Sequence, residues 1–196
     1  MNEKGKALTV ARFFAENEKI LDLTWLAGRQ GGERRIREGS VNRAGLPLTG
    51  FMEHFADKRI QLIGMAENAY LASLSDEVRT ARIRAYLEKG FPCLILARGL
   101  LPDPAFVTVG NERQVPVLMS SLVTYNVATR VTFYLERELA PSVSVTGSLV
   151  EVQGTGVLVR GESGVGKSEC ILSLLRRGAA LVADDVARVS RLESDQ

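Results

Sequence analysis

Histidine is almost missing from this chain: His54 is the only one among 196 residues. That scarcity nearly excludes an imidazole-based triad or a histidine-rich metal site. Cysteine is scarce too. Cys93 and Cys170 lie far apart, each in an apolar segment. They read as buried free thiols, with neither a disulfide framework nor a metal spacing. Long apolar runs are absent, since none approaches the roughly 20 residues that span a bilayer. The opening "MNEKGKALTV" lacks the apolar core of a secretory signal. A cytoplasmic protein with no membrane partner is expected. An excess of one charge is also missing: 25 basic and 23 acidic residues give a net +2. Nothing draws the chain strongly to nucleic acid, and no nucleic-acid partner is expected. The short basic cluster Arg34, Arg35 and Arg37 reads as a solvated face. Repeats and low-complexity stretches are absent.

What is present is ordinary globular material. The chain is 45% hydrophobic and 24% charged, and its length suits one large domain or two small ones. Short apolar runs at 20–28, 59–64, 92–99 and 115–121, bounded by Gly, Pro or charge, predict strands. The segment 65–90 predicts helix, with an apolar face on Tyr70, Leu71 and Leu74. A break at Ser75 caps a second helix bearing Val78, Ile83 and Leu87, closed by Gly90 and Pro92. Residues 122–141 predict a further helix, whose stripe runs from Leu122 and Val123 through Val127, Val131 and Leu135 to Leu139, ended by Pro141. The alternation argues for an α/β layer structure with mostly parallel strands. The pattern then turns β-rich over 142–161. We therefore expect an N-terminal α/β domain over 1–132, a helix end and linker over 133–141, and a second domain from 142 to 196.

The second region carries the chemistry. "GESGVGKS" fits G-x-x-x-x-G-K-[ST] at Gly161, Gly166, Lys167 and Ser168, with Glu162, Ser163, Gly164 and Val165 between them. Glycines let the backbone curl so that successive N–H groups face phosphate oxygens. Lys167 can reach phosphate as a point charge, Ser168 can offer its hydroxyl to Mg²⁺, and the helix N-terminus adds a favourable dipole. "VLV" at 157–159 reads as a buried strand before the loop. Cys170, Ile171, Leu174 and Leu175 read as one face of the helix after it, with Gly178 as its cap. Leu181 to Ala183 then form a strand that delivers Asp184 and Asp185. If that strand runs parallel to 156–161, both carboxylates arrive beside the loop. One could hold Mg²⁺, directly or through water, and the other could take a proton from an attacking hydroxyl. The pattern implies nucleotide-dependent phosphoryl transfer or hydrolysis.

At this point a resemblance enters. "GTGVLVRGESGVGKSECILSLLRRGAALVADDVARV" (154–189) resembles the phosphate-loop region of the bacterial HPr kinase/phosphorylase family. "GSVNRAGLPLTGFMEHFADKRIQLIGMAENAYL" (39–71) and "FPCLILARGL" (91–100) resemble its N-terminal domain, and "FYLERELAPSVSVTGSLVEV" (133–152) its junction. The resemblance implies an α/β N-terminal domain joined to a kinase domain of the phosphoenolpyruvate-carboxykinase-like type. It implies a cytoplasmic, hexameric enzyme that uses ATP and Mg²⁺ to phosphorylate a serine of HPr, the small phosphocarrier of the sugar phosphotransferase system. It also implies the reverse reaction with inorganic phosphate, yielding pyrophosphate. By position, Gly161 through Ser168 cradle ATP, Asp185 is the proton acceptor, and Asp184 supports the metal or the base. Two departures stand out. Thr146 occupies a position where the family usually has histidine, and the chain stops at Gln196, soon after the acidic pair. These departures motivate an alternative, a regulatory or nucleotide-binding relative without transfer activity. A small-molecule kinase on the same loop is a third reading, disfavoured by the N-terminal match.

Overall fold

The computed structural model describes residues 7–191. The chain divides into two units between Leu139 and Ala140. The first unit is a five-stranded sheet with helices on both faces. Its strands are β1 (Leu23–Ala27), β2 (Val41–Arg43), β3 (Ile60–Ile63), β4 (Leu94–Leu96) and β5 (Val117–Ser120), in the order β1-β5-β4-β3-β2. β2 through β5 run parallel, and β1 closes the sheet antiparallel to β5. The expected mostly parallel α/β layer structure is thus present. β3 and β4 are buried along their whole lengths, which is why β4 reads as an unbroken apolar run and β3 as one interrupted by Gln61, rather than as alternating strands.

Each face of the sheet carries its own apolar cluster. On one face, Ile63, Leu94, Leu96 and Val117 meet Ile83, Tyr86 and Leu87 of α4 (Asp76–Leu87) and Phe106 and Val109 of α5 (Pro104–Glu112). On the other, Ile60, Leu62, Ile95 and Leu118 meet Val10 and Phe13 of α1 (Val10–Asn17) and Val127, Val131 and Leu135 of α6 (Thr124–Leu139). Two short helices, α2 (Gly45–Leu48) and α3 (Met65–Ala72), flank β3. Ser75 caps α4 through its side chain as expected. Two positions of the expected apolar stripes are exposed instead: Val78 lies off the face of α4 that Ile83, Tyr86 and Leu87 bury, and Val123 precedes the first residue of α6.

Three elements of this unit carry no clear sequence signal. α1 is a bare two turns and β2 only three residues. α5, "PAFVTVGNE", is rich in β-branched residues that disfavour helix. Its helix is set instead by Asp103, which accepts from Ala105 N at 2.9 Å, by Pro104 in the first turn, and by burial of Phe106 and Val109. The reading of the basic cluster holds for Arg35 and Arg37, which are exposed, and is corrected at Arg34. Arg34 donates to the backbone carbonyls of Gly90, Phe91, Arg113 and Gln114, tying three segments together rather than standing in solvent.

The second unit holds β6 (Ser142–Thr146), β7 (Ser148–Val152), β8 (Thr155–Val159), α7 (Lys167–Arg176), β9 (Ala180–Ala183) and β10 (Val186–Ser190). β6 pairs antiparallel with β10, and β8-β7-β9 form a separate antiparallel sheet. Gln153 and Gly154, both at positive φ, make the two-residue turn between β7 and β8. Gly178 sits at φ 94 just past α7. There Gly178 N donates to Leu175 O and Ala179 N to Leu174 O, both carbonyls of the last helical turn. Two expectations fail here. The strand at 157–159 is not buried, since β8 is an edge strand with one neighbour and Val157 is exposed. Cys170 is exposed as well, on the outer side of α7, whereas Cys93 is buried and its thiol is pushed up by desolvation.

Candidate functional site

The loop between β8 and α7 is curled by its glycines. Gly164 has φ 81, and Gly166, at φ 92, is the N-cap of α7. Both values fall in the left-handed region that glycine enters at no steric cost. A side chain at Gly161 would meet Val165 Cγ1 at 3.0 Å and the Lys167 stem at 3.6 Å, so the loop closes tightly on its own lysine. Lys167 Nζ donates to Gly161 O at 2.8 Å and to Glu162 O at 2.5 Å. The ammonium therefore sits inside the curl, at the N-terminus of a ten-residue helix whose first N–H groups point the same way.

β7 organises what faces this loop. The expected parallel relation holds, because β8 and β9 both run antiparallel to β7. They are not neighbours, however: β7 lies between them. Ser148 pairs with Val159 on one side of β7, and Leu149 pairs with Ala183 on the other. The loop and the acidic pair thus leave the same end of the sheet. Ser148 Oγ donates to Asp184 Oδ1 at 2.6 Å, and the same oxygen accepts from Asp185 N at 3.0 Å. Gly147 N donates to Asp185 O at 2.8 Å. Asp185 sits at φ 61, in the two-residue turn from β9 to β10.

A cleft of about 690 Å³ results. Gly161, Glu162, Ser163 and Lys167 line it from the loop, and Asp185 from the turn. Thr146, Gly147 and Ser148 line it from the β6–β7 corner, and Arg160 from the end of β8. Lys167 and Asp185 are therefore brought together. Asp184 is not part of the lining; its side chain is held by Ser148. Gly164, Val165, Gly166 and Ser168 also lie outside the lining, Ser168 being exposed in the first turn of α7. Arg160 and Ser148 have no place in the motif. The register of β7 against β8 is what brings them in, and only pairing reveals that.

The residues fit a phosphate group. A curled glycine loop, a helix N-terminus and a lysine side chain are the groups that bind phosphate oxygens, and Gly161, Glu162, Ser163 and Lys167 present part of that set to the cleft. Among the described residues no group of three or more His, Cys, Asp or Glu could cage a metal ion. No helix of the described residues is long and apolar enough to cross a membrane.

Fold and cleft together define an α/β protein that presents a glycine-rich, lysine-bearing loop at a helix N-terminus. The family model for the HPr serine kinase N terminus matches residues 8–135, and that for the HPr serine kinase C-terminal domain matches residues 137–196. The chain belongs to the HPr serine kinase family. It is 42% identical over 170 residues to an HPr kinase/phosphorylase of Shouchella clausii, covering 87% of this chain and 55% of that protein. It is 43% identical over 161 residues to an HPr kinase/phosphorylase of Clostridium botulinum, covering 82% of this chain and 52% of that protein. The chain thus spans about half the length of the curated relatives it matches. Among solved structures, the CBS and DRTGG domains of the regulatory region of a Clostridium perfringens pyrophosphatase align at 14% identity. That alignment has a TM-score of 0.48 and covers 90% of this chain and 68% of the other.

Proposed function

We propose that this chain carries the nucleotide-binding part of an ATP-dependent kinase that phosphorylates a serine of HPr or an HPr-like phosphocarrier, and that transfers the phosphoryl group from that serine to inorganic phosphate in the reverse direction, giving pyrophosphate and the free hydroxyl. The placement of Lys167 and Asp185 in one cleft supports this reading most directly. The loop N–H groups and Lys167 bind and orient the terminal phosphates of ATP. To do so, Lys167 exchanges its two loop carbonyls for phosphate oxygens, a short movement of a flexible stem. Mg²⁺, held through Ser168 with support from Asp184, would neutralise charge on the phosphates. Asp185 takes the proton of the incoming serine hydroxyl and returns it in the reverse direction. The kinase unit is of the phosphoenolpyruvate-carboxykinase-like type, and the enzyme works in the cytoplasm as a hexamer; both follow from the family resemblance.

A second reading is favoured by one residue. Thr146 lines the cleft where the family usually has histidine, and threonine cannot carry a proton near neutral pH. A relative that binds nucleotide without transferring phosphate would look the same.

The test is thermal unfolding of the chain with Mg·ATP, beside Lys167→Ala. Ligand at about 100 times its Kd should stabilise by roughly 2.7 kcal/mol, and the variant should lose that shift. Equal shifts in both proteins would remove the loop from nucleotide binding. Formation of phosphoserine on HPr, read by mass spectrometry, separates the two readings: a nucleotide shift without phosphoserine favours the second, and recovery in Thr146→His would identify the missing proton carrier.

A further inference from the structure

Arg160 leaves the end of β8 immediately before Gly161 and lines the cleft with Lys167, Thr146 and Asp185. Its direction is set by packing. Ser148 pairs with Val159, so the next residues outward, Gly147 and Arg160, face each other at the cleft mouth. A Cβ at Gly147 would stand 2.9 Å from Arg160 Cγ and 2.8 Å from Val159 O. Gly147 also has φ 142. The arginine stem therefore lies across a backbone position that tolerates no side chain.

The two cations of the lining differ in their engagement. Lys167 donates twice to its own loop. Arg160 has no hydrogen bond or ion pair among the described residues. Glu162 and Asp185 supply the negative charge of the same lining, yet neither pairs with it. Asp185 follows β9, two strand spacings from β8, or about 10 Å between backbones. Such a gap lets both side chains converge on a group between them without pairing directly. A guanidinium is always charged and offers a planar fork that matches two phosphate oxygens.

We propose that Arg160 is a phosphate-contacting residue of this cleft, binding the terminal phosphoryl group from the side opposite Asp185. The same contact receives the end of a bound nucleotide or a free inorganic pyrophosphate. The inference rests on the nucleotide reading of the loop and assigns to it a residue outside the glycine-rich motif.

Calorimetric titration of the chain with Mg·ATP, Mg·ADP and Mg·pyrophosphate tests it, in wild type, Arg160→Gln, Arg160→Lys and Lys167→Ala. Arg160→Gln should lower ATP affinity roughly 10- to 100-fold, the range of a hydrogen bond to a charged group. ADP affinity should stay within about twofold, since ADP lacks the contacted group. Arg160→Lys should fall between, and Lys167→Ala should weaken both nucleotides. A wild-type ATP-to-ADP ratio in Arg160→Gln overturns the proposal. If that variant does not fold, the same ratio in Arg160→Lys overturns it. If wild type binds neither nucleotide, the kinase reading fails by itself, and pyrophosphate decides Arg160: binding lost in Arg160→Gln sustains it, whereas unchanged binding, or no binding by wild type, overturns it.

Discussion

Gln61 lies fully buried in the middle of β3, and its amide is completely engaged. Nε2 donates to Ala56 O at 2.8 Å and Arg59 O at 2.9 Å. Oε1 accepts from Asn42 Nδ2 at 2.8 Å and from the Tyr86 hydroxyl at 2.9 Å. One side chain thus joins β2, β3, the loop before β3 and helix α4. Burial, with the charge of Glu67 adding to it, pushes the Tyr86 hydroxyl well above the usual phenol range, so it stays a donor. Gln61→Leu should cost about 1–3 kcal/mol, because the Tyr86 hydroxyl loses its acceptor inside the core. Adding Tyr86→Phe should recover part of that loss. Urea midpoints of the three proteins measure it, and a Gln61→Leu midpoint equal to wild type would mean the network contributes nothing net. No hydropathy pattern announces this residue: a glutamine in an apolar run looks like a blemish until its four partners are placed around it.

At the level of elements, α1 and α6 are held side by side by more than apolar contact. Phe13 and Tyr134 meet edge to face with centroids 5.6 Å apart. Glu16 of α1 accepts from the Tyr134 hydroxyl at 2.5 Å and from Arg12 Nε at 2.7 Å, while Arg12 Nη2 donates to Glu138 at 2.5 Å. The Tyr134 hydrogen bond, with help from Arg12, holds the Glu16 carboxyl below its ordinary range. A depressed folded-state value means stability that is present above the unfolded value of about 4.3 and lost as pH falls through the folded one. Glu16→Gln should therefore be less stable than wild type at pH 7, with the gap closing in strongly acid solution. Urea midpoints on either side of that window check the sign, and a gap independent of pH would assign the effect to packing alone. Both helices show the same division of legibility. The α6 stripe is readable over 16 residues, whereas eight residues of α1 are too few for periodicity to speak.

At the scale of the molecule the two units differ in how much they bury. The first encloses two apolar clusters, one on each face of its sheet. Among the described residues of the second, the buried hydrophobic ones are Val150, Ile171 and Ala187, while Val143, Leu172, Val182 and Val186 are exposed. Local opening is easiest where few apolar contacts resist it. Brief trypsin treatment should cut first within 140–191, where Arg160, Arg176, Arg177 and Arg188 are exposed. The fragment retained should contain the first unit, and a chain ending at Leu139 should keep a single cooperative urea transition. First cuts inside the five-stranded sheet, or loss of cooperativity in the shortened chain, would refute this ranking. Bound nucleotide should slow cleavage near Arg160 and Arg176 without altering the first unit.

The other strands and helices of the first unit, the Ser75 cap, the glycine past α7 and the lysine-bearing loop were readable from the chain alone, because each depends on residues within a few positions of one another; α1, β2 and α5 were not. Side-by-side order was not readable. That β7 separates β8 from β9, that Ser148 takes Asp184 while Asp185 turns to the cleft, and that Arg160 reaches the same cleft across Gly147 all follow from pairing between distant segments. Exposure belongs to the same class. Val157 and Cys170 have the sequence surroundings of core residues, yet a strand or helix is buried only where another layer covers it, and local pattern does not encode that layer. Arg34 illustrates the converse: a charged residue in a basic cluster became a structural tie because four carbonyl groups, distant in sequence, converge on one guanidinium.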